Sequence, residues 1–216
     1  MKQVFSLLCI ALFSLASAQS DPAAKKLLDE VSKQTKSYTS IKLAFSYSIE
    51  NKQQNLPTKK EKGSLILSGN KYNITLMGIN QISDGVNIWR IMPEDEVIET
   101  SKVSDDEEGG SNPAELLTMY EKGFRFQMIG KGSFESKAVT QIKLIPENPK
   151  SASFTHIEVG VDEAKKQIVY VREFGKNGTS TTYSITTFET NLTLGPKTFK
   201  VNPADYPGYE IVDVGF

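Results

Sequence analysis

The sequence predicts a mainly β (α+β) domain, in which one antiparallel sheet is accompanied by two short helices. Apolar and polar residues alternate with period two in several runs, most regularly in "IKLAFSYSIE" (41–50), as in strands with one buried face. Turn signals such as Asn177-Gly178 separate these runs. Because strand follows strand through short turns, we expect an antiparallel sheet built largely as a meander.

The first predicted element is a helix over 21–38, "DPAAKKLLDEVSKQTKSY". Asp21 is suited to cap its N-terminus, and Pro22 fits the first helical position, where a missing N–H has no cost. The apolar residues of this segment recur at helical spacing and form one stripe, which comprises Ala24, Leu27, Leu28, Val31 and Tyr38.

The first strand follows, with one small or polar face and one apolar face. The apolar face carries Ile41, Leu43, Phe45, Tyr47 and Ile49. Two arrangements are open for it: it lines a cavity, or it packs only against the helix through Leu27, Leu28 and Val31. Further strands are predicted at Gly63–Leu67, Tyr72–Ile79, Val86–Met92, Val97–Lys102, Phe124–Ile129, Val139–Ile145, Phe154–Val161, Gln167–Phe174, Thr179–Glu189 and Thr198–Asn202. Turns are predicted at Gly69-Asn70, Asp84-Gly85, Gly130–Gly132 and Asn177-Gly178.

Asp84-Gly85 predicts a tight two-residue hairpin turn, because both residues tolerate positive φ. In that register Ser83 lies opposite Val86. One face of the hairpin then carries Ile82, Trp89 and Ile91, and the other carries Val86, Ile88 and Arg90. Trp89 is the only tryptophan of the chain. It either lines a cavity, where a ligand would change its emission, or packs in the core.

A second helix is predicted within "SNPAELLTMYEKG" (111–123). Asn112 and Glu115 have capping-box spacing, Pro113 fits the first helical position, and Gly123 fits the C-terminal end. The apolar face of this helix is formed by Leu116, Leu117 and Tyr120. The acidic, glycine-rich stretch before it contains Asp105–Glu108, which we interpret as a solvated loop, with partner docking or weak cation binding as alternatives.

The N-terminus has the pattern of a targeting segment. A basic start at Lys2 precedes an apolar run over 4–16 and a small-residue motif, so residues 1–18 are expected to be a signal peptide cleaved near Ala18. Residues 19–216 then form a single predicted domain. The one cysteine, Cys9, lies within the apolar run, so we expect the mature protein to have no thiol chemistry and no lipid anchor there. We expect an exported, periplasmic monomer.

Composition argues against several functions. The chain has 25 basic and 26 acidic side chains, so it lacks the basic excess typical of nucleic-acid binding. Its one histidine, His156, has no partners at triad or zinc-site spacing, and no phosphate-binding glycine motif is present. We therefore predict no catalytic residues, no metal site and no cofactor. The predicted strands, however, present more apolar face than two short helices can cover. The sheet must curl around its own core or enclose a space that another molecule fills.

Three stretches resemble one family: "GSLILSGNKYNITL" (63–76), "QISDGVNIWRIMPEDEVIE" (81–99) and "SNPAELL" (111–117). They are similar to the periplasmic lipoprotein carriers, the LolA-like family. The matching residues are Gly63, Leu65, Tyr72, Ser83, Asp84, Gly85, Trp89 and Pro93. The closing "KTFKVNP" (Lys197–Pro203) matches the last strand of the family pattern, so the resemblance spans roughly Asp21 to Asp213.

The resemblance implies an incomplete antiparallel β-barrel, or strongly curved sheet, with a helical lid over an apolar cavity. It also implies a carrier that takes acylated lipoproteins, or other lipids, from an inner-membrane lipoprotein-release complex to an outer-membrane acceptor. The candidate ligand-binding residues of such a cavity are Leu43, Phe45, Tyr47, Ile49, Tyr72, Ile74, Leu76, Trp89, Ile91, Leu116, Leu117, Tyr120 and Phe126. Family members have an Arg before the aromatic strand that is implicated in holding the lid closed. This chain has Ser68-Gly69-Asn70 there, which puts that closure in doubt.

Two other functions stay open at this point. One is a periplasmic sensor or regulator of the same fold, although such proteins usually have an additional domain for which this chain is too short. The other is an enzyme such as a carboxylate-based hydrolase, against which the missing catalytic pattern argues.

Overall fold

The computed structural model describes residues 20–51, 54, 56–103 and 117–215, with the backbone alone at 56, 57 and 119. The expected targeting segment, the acidic loop Asp105–Glu108, and the start of the second helix with Leu116 lie outside these residues. Of that helix the structure describes a 3-10 turn at Met119–Glu121, followed by Gly123 with a positive φ of 80°.

The described residues form one open sheet of twelve strands. The strands are β1 Ile41–Asn51, β2 Leu56–Ser68, β3 Lys71–Leu76, β4 Ile79–Ser83, β5 Asn87–Met92, β6 Val97–Lys102, β7 Phe124–Phe134, β8 Lys137–Pro146, β9 Phe154–Asp162, β10 Gln167–Gly175, β11 Thr179–Thr190 and β12 Glu210–Asp213. Their order in the sheet is β12-β6-β5-β4-β3-β2-β1-β11-β10-β9-β8-β7. Two meanders, β1–β6 and β7–β11, are joined where β1 pairs with β11. The predicted mainly β fold with a curved, incompletely closed sheet is confirmed.

The predicted N-terminal helix is confirmed as α1, Pro22–Lys36. The Asp21 side chain caps it by accepting hydrogen bonds from the backbone N–H of Ala23 and Ala24. The stripe residues within α1 are buried, mainly against β7 and β10, whereas Tyr38 lies beyond the end of the helix and packs on Phe188. An ion pair of 2.6 Å between Glu30 and Lys166 ties the helix to the turn that joins β9 and β10.

The sheet has an inner face, which carries one large apolar cluster, and an outer face with two small ones. The buried strand residues of the inner-face cluster are Ile41, Leu43, Phe45, Leu65, Leu67, Tyr72, Ile142, Leu144, Ile157, Val159, Val161, Ile168 and Val171. Because α1 lies mainly over β7–β10, it covers one half of this face. The half formed by β1, β2, β3 and β11 is not covered by α1.

The predicted strand Tyr72–Ile79 is wrong, because the chain turns within it. Met77 and Gly78 have positive φ values of 54° and 79°, which matches the twist of a tight hairpin turn and separates β3 from β4. The predicted turn at Gly130–Gly132 is also wrong. There β7 continues, and a bulge beside Gly130 absorbs one extra residue.

The register predicted for the hairpin after β4 is wrong by two residues. Ser83 lies opposite Ile88, not Val86. The Asp84 carboxylate accepts hydrogen bonds from the backbone N–H of Val86 and Asn87, at 2.9 and 2.8 Å, and this lengthens the turn. A shift of two residues keeps every side chain on its face, so the predicted grouping of Trp89 with Ile91 survives.

The C-terminal segment differs from the prediction. Residues 198–202 form turns and irregular backbone instead of a strand, and the Asn202 side chain caps a 3-10 turn at Pro203–Asp205. The strand lies further on, as β12, which pairs in parallel with β6. With only four residues, β12 is too short for an alternation pattern to be visible in the sequence.

Candidate ligand-binding cavity

A cavity lies on the inner face, in the half that α1 leaves uncovered. Its walls are Leu43 and Phe45 of β1, Leu65 of β2, Val171 of β10, Tyr183 and Ile185 of β11, and Leu117. All of these side chains are apolar apart from the Tyr183 hydroxyl. The cavity therefore offers an environment for hydrocarbon and very few hydrogen bonds.

The position of the Phe45 ring depends on a glycine in the neighbouring strand. Gly63 lies directly opposite Phe45 on β2, and a Cβ at this glycine would come within 2.3 Å of the ring atom Cζ. The tip of the ring therefore lies over the bare backbone of Gly63, as glycine in a strand allows. A bulge between Ala44 and Phe45 also shifts the β1–β11 register, so that both Ile185 and Phe188 reach the inner face.

Residues 117–121 roof the cavity, and we call them the cover segment. Leu117 and Tyr120 point down into the apolar cluster and are 5% and 2% exposed. The carboxylate of Glu121 accepts hydrogen bonds from the Ser32 hydroxyl and, at 2.8 Å, from the Lys36 ammonium. Hydrogen bonds from Lys36 and Ser32 hold the pKa of Glu121 below its usual value of 4.5. The cover segment is thus fastened to α1 by one carboxylate.

The Tyr120 hydroxyl is buried and has no hydrogen-bond partner among the described residues. Burial is the main cause that raises the pKa of this phenol. Because an unsatisfied buried hydroxyl costs about 1–3 kcal/mol, we expect Tyr120→Phe to raise the free energy of unfolding, by up to about that amount. Urea denaturation measures the change. As a control, Tyr170→Phe should destabilise, because the Gln141 amide would lose the hydroxyl to which it donates at 3.0 Å.

The cavity has a volume of about 30 Å³. A space of this size has room for about one or two water molecules and is far below the roughly 300 Å³ or more of a typical small-molecule site. In this structure the cavity is therefore too small for an acyl chain. A ligand with a hydrocarbon chain fits only if the cover segment moves or the aromatic walls swing aside.

The candidate cavity residues of the sequence analysis divide into separate groups. Leu43, Phe45 and Leu117 line the cavity. The same inner-face cluster also contains Tyr47, Tyr72, Ile74, Leu76, Tyr120 and Phe126. Ile49 is on the inner face as well, at the end of β1 and opposite Thr181 and Lys59. Their part in ligand binding stays a prediction.

Trp89 and Ile91 lie on the outer face, so their expected place in the cavity wall is corrected. Trp89 pairs with Ile82, and both pack with Ile91 and Ile98 under the C-terminal segment. Val201, Tyr206 and Tyr209 of that segment complete the cluster. We therefore expect Trp89 emission to stay constant when a ligand fills the cavity.

Four residues of the cavity wall were not predicted from the sequence: Leu65, Val171, Tyr183 and Ile185. Leu65 and Leu67 stand two residues apart in β2, but Ile66 between them is also apolar, so the alternation there is weak. Tyr183 and Ile185 stand in a strand of serines and threonines, "TSTTYSITTFET", whose composition hides its apolar face. Their spacing of two residues was the available signal.

The described residues contain neither a membrane-spanning helix nor a cluster of metal ligands. None of their helices has the length and apolarity needed to span a membrane. No group of three or more His, Cys, Asp or Glu side chains in this part of the chain is placed to hold a metal ion. His156 lies on the outer face, where its ring stacks on Phe174 with centroids 4.3 Å apart.

Comparison with known proteins identifies the family. A family model described as the outer membrane lipoprotein carrier protein LolA matches residues 58–202, which is more than half of the chain. The chain belongs to the LolA family. The resemblance stated from the sequence is thereby confirmed. No curated protein matches this LolA-family chain in sequence.

Solved structures show the same fold. An uncharacterized conserved protein from Thermus thermophilus is similar with a TM-score of 0.57 and 10% identity, over 88% of this chain and 99% of that protein. The Mycobacterium tuberculosis lipoprotein LppX is similar with a TM-score of 0.51 and 17% identity, over 82% of this chain and 99% of LppX. At such low identities the likeness concerns the LolA-like fold alone.

Proposed function

We propose that this LolA-family protein is an exported carrier that hides the acyl chains of lipoproteins and passes them from the inner to the outer membrane. The observation that carries the proposal is the division of the apolar inner face. Helix α1 fills one half. Among the residues that the structure describes, the other half is roofed by the five-residue cover segment, beneath which the apolar cavity lies. The family description, a lipoprotein carrier, supports it.

The chemistry of the cavity suits a carrier better than an enzyme. Each methylene group exposed to water costs about 0.8 kcal/mol, so several acyl chains cannot cross an aqueous compartment unprotected. An apolar wall lowers this cost without specific contacts, and a carrier must also release its cargo. The donor would be a lipoprotein-release complex of the inner membrane, and the recipient an outer-membrane acceptor.

Expression of the full chain in the periplasm, followed by native mass spectrometry, tests the proposal. We expect the purified protein to contain bound lipid or acylated peptide. A diacylated lipopeptide with a free N-terminus, added to delipidated protein, should bind saturably, whereas the same peptide without acyl chains should not. The bound lipopeptide should then move to acceptor vesicles faster with the protein than without it. Absence of acyl-dependent binding would refute the proposal, and binding without transfer would favour a sensor.

We expect Glu121→Ala to loosen the cover segment. The substitution removes the hydrogen bonds from Ser32 and Lys36 that fasten the segment to α1. Lipopeptide should then associate faster, by about tenfold if opening limits entry, because a more populated open state raises the apparent rate. Stopped-flow fluorescence of a labelled lipopeptide measures it. Asp29→Ala is the matched control, since it removes a carboxylate of α1 that pairs with Lys25, at 2.7 Å, on the surface.

The hydrogen bonds that Glu121 accepts from Ser32 and Lys36 should weaken in acid. The folded pKa of Glu121 is depressed, so its stabilising effect is complete above the usual value of 4.5 and is lost as the pH falls through the lower folded pKa. Association of lipopeptide should therefore accelerate below that value in the wild type and not in Glu121→Ala. Equal acceleration in both proteins would show that another group opens the cavity.

A further inference from the structure

Glu173 is a carboxylate on the inner face, next to the apolar cavity wall. On β10 it follows Val171 by two residues, so both side chains point to the same side of the sheet. It lies opposite Ile157 of β9 and Thr181 of β11. Since Val171 lines the cavity, Glu173 stands one step beyond the cavity wall along the strand.

Tyr183 lies near this carboxylate on the adjacent strand β11, and Tyr47 lies one strand further away, on β1. Tyr183 pairs with Val171 on one side and with Tyr47 on the other, and the two tyrosine rings are 5.2 Å apart. Burial raises the pKa of Tyr183 to about 12, with smaller contributions from Tyr47 and the charge of Glu173. Tyr47, Tyr183 and Glu173 thus follow one another across three neighbouring strands on the inner face, and we call these three residues the Glu173 cluster.

The Glu173 cluster is at the end of the cavity that faces away from the cover segment. Leu117 and Thr118 border a groove with Ile41 and Leu67, at the start of β1. Tyr47 lies further along β1, beyond the cavity residues Leu43 and Phe45. The inner face thus changes from hydrocarbon to hydrogen-bonding groups along one direction.

Among the described residues, no hydrogen bond or ion pair engages the Glu173 carboxylate. The neighbouring Arg172 is on the outer face, where its guanidinium donates to Thr182 at 3.0 Å. Burial raises the pKa of Glu173. A partly desolvated carboxylate without a partner gains more from an incoming cation than an exposed one does, because the surrounding dielectric is lower.

We propose that the Glu173 cluster binds the head group of the ligand, and that it selects an ammonium group carried next to the hydrocarbon chain. This inference rests on the proposed acyl-binding function and specifies its ligand. An ionised carboxylate only accepts hydrogen bonds, and its bonds from an ammonium group are charge-assisted and strong. The two phenol oxygens can accept further hydrogen bonds. A carboxylate or phosphate head group would instead meet a like charge.

Three probes with the same chain test the proposal: dodecylammonium, dodecanol and dodecanoate, at about pH 8, where carboxyl groups are ionised and alkyl amines are protonated. Isothermal titration calorimetry with the full mature chain gives the affinities. We expect dodecylammonium to bind about tenfold tighter than dodecanol, and dodecanoate to bind weakest. In Glu173→Gln that advantage should disappear while dodecanol affinity stays constant.

Glu158→Gln is the matched control. Glu158 lies on the adjacent strand β9 and opposite Arg172, so the substitution removes the same charge from the outer face. It should keep the wild-type order of the probes. Equal binding of dodecylammonium and dodecanol by the wild type, or an unchanged order in Glu173→Gln, would overturn the head-group site. If dodecanol also fails to bind, the proposed acyl-binding function fails with it.

The ammonium group could come from two sources, a lipoprotein N-terminus or a membrane aminolipid. A lipopeptide with a free N-terminus is compared with its acetylated form, and sphingosine, an aminolipid without phosphate, with N-acetylsphingosine. A preference for the primary ammonium in either pair supports the head-group site and shows which kind of ligand provides the ammonium group. No preference in both pairs would overturn it.

Discussion

Replacing Phe45 by alanine should lower the free energy of unfolding by about 3–5 kcal/mol and enlarge the cavity enough for small apolar molecules to bind. Phe45 is 5% exposed, and its ring packs over Gly63 and 6.1 Å from the ring of Tyr183. Removal of the ring joins its volume to a cavity that already exists. The neighbouring strands are fixed by the sheet ladder, so they cannot close the space completely.

Urea denaturation measures the loss of stability, and thermal unfolding with benzene measures the gain of binding. Dry apolar cavities of about 150 Å³ bind benzene, and a ligand of the native state raises the melting temperature. Benzene should stabilise Phe45→Ala and leave the wild type unchanged. Phe134→Ala is the control, because Phe134 stacks on Tyr170 on the outer face, away from the cavity. Equal stabilisation of both variants by benzene would contradict the assignment of Phe45 to the cavity wall.

The elements that the sequence predicted correctly are those whose signal is local. Alternation in β1 and the stripe of α1 follow from burial on one side, and the Asp21 cap is a contact within one turn. The split between β3 and β4 was missed because Met77 at a positive φ is not a typical turn residue. β12 was missed because its strand conformation depends on pairing with the distant β6.

Periodicity distinguished the two faces of the β4–β5 hairpin, but it did not show which of them points inward. That choice is made by what covers each face. Trp89 and Ile91 lie under Tyr206 and Tyr209, which come far later in the chain. No property of residues 79–92 contains this information, so the expected cavity position of Trp89 could not be tested from the sequence alone.

The cavity itself also depends on contacts between distant segments. Glu121 reaches Ser32 and Lys36, which precede it by 89 and 85 residues, and a bulge beside Ala44 brings Phe188 to the inner face. The missing family Arg suggested an unfastened lid. In the structure, the Glu121 carboxylate holds the cover segment to α1 by accepting hydrogen bonds from Ser32 and Lys36. These partners could not be identified before the fold was known.

Gly63→Ala should abolish acyl-chain binding while it destabilises the protein by about 1–3 kcal/mol. The new Cβ would lie 2.3 Å from Cζ of Phe45, so the ring must leave the backbone of β2. Because Phe45 is itself a residue of β1, its Cα is fixed by the sheet, and the ring can turn only into the cavity of about 30 Å³. The displaced ring then occupies the space that an acyl chain would need.

Gly160→Ala separates this blockage from general overpacking. Its Cβ would lie 2.2 Å from Cε1 of Tyr170, a comparable clash, but on the outer face. Both variants should lose similar stability in urea, and only Gly63→Ala should lose lipopeptide binding. Adding Phe45→Ala to Gly63→Ala removes the ring that blocks the cavity, so binding should return in the double variant and the two substitutions should be coupled in a double-mutant cycle. If Gly160→Ala abolishes binding equally, or if the double variant stays inactive although it is folded, the Phe45–Gly63 contact does not shape the ligand site.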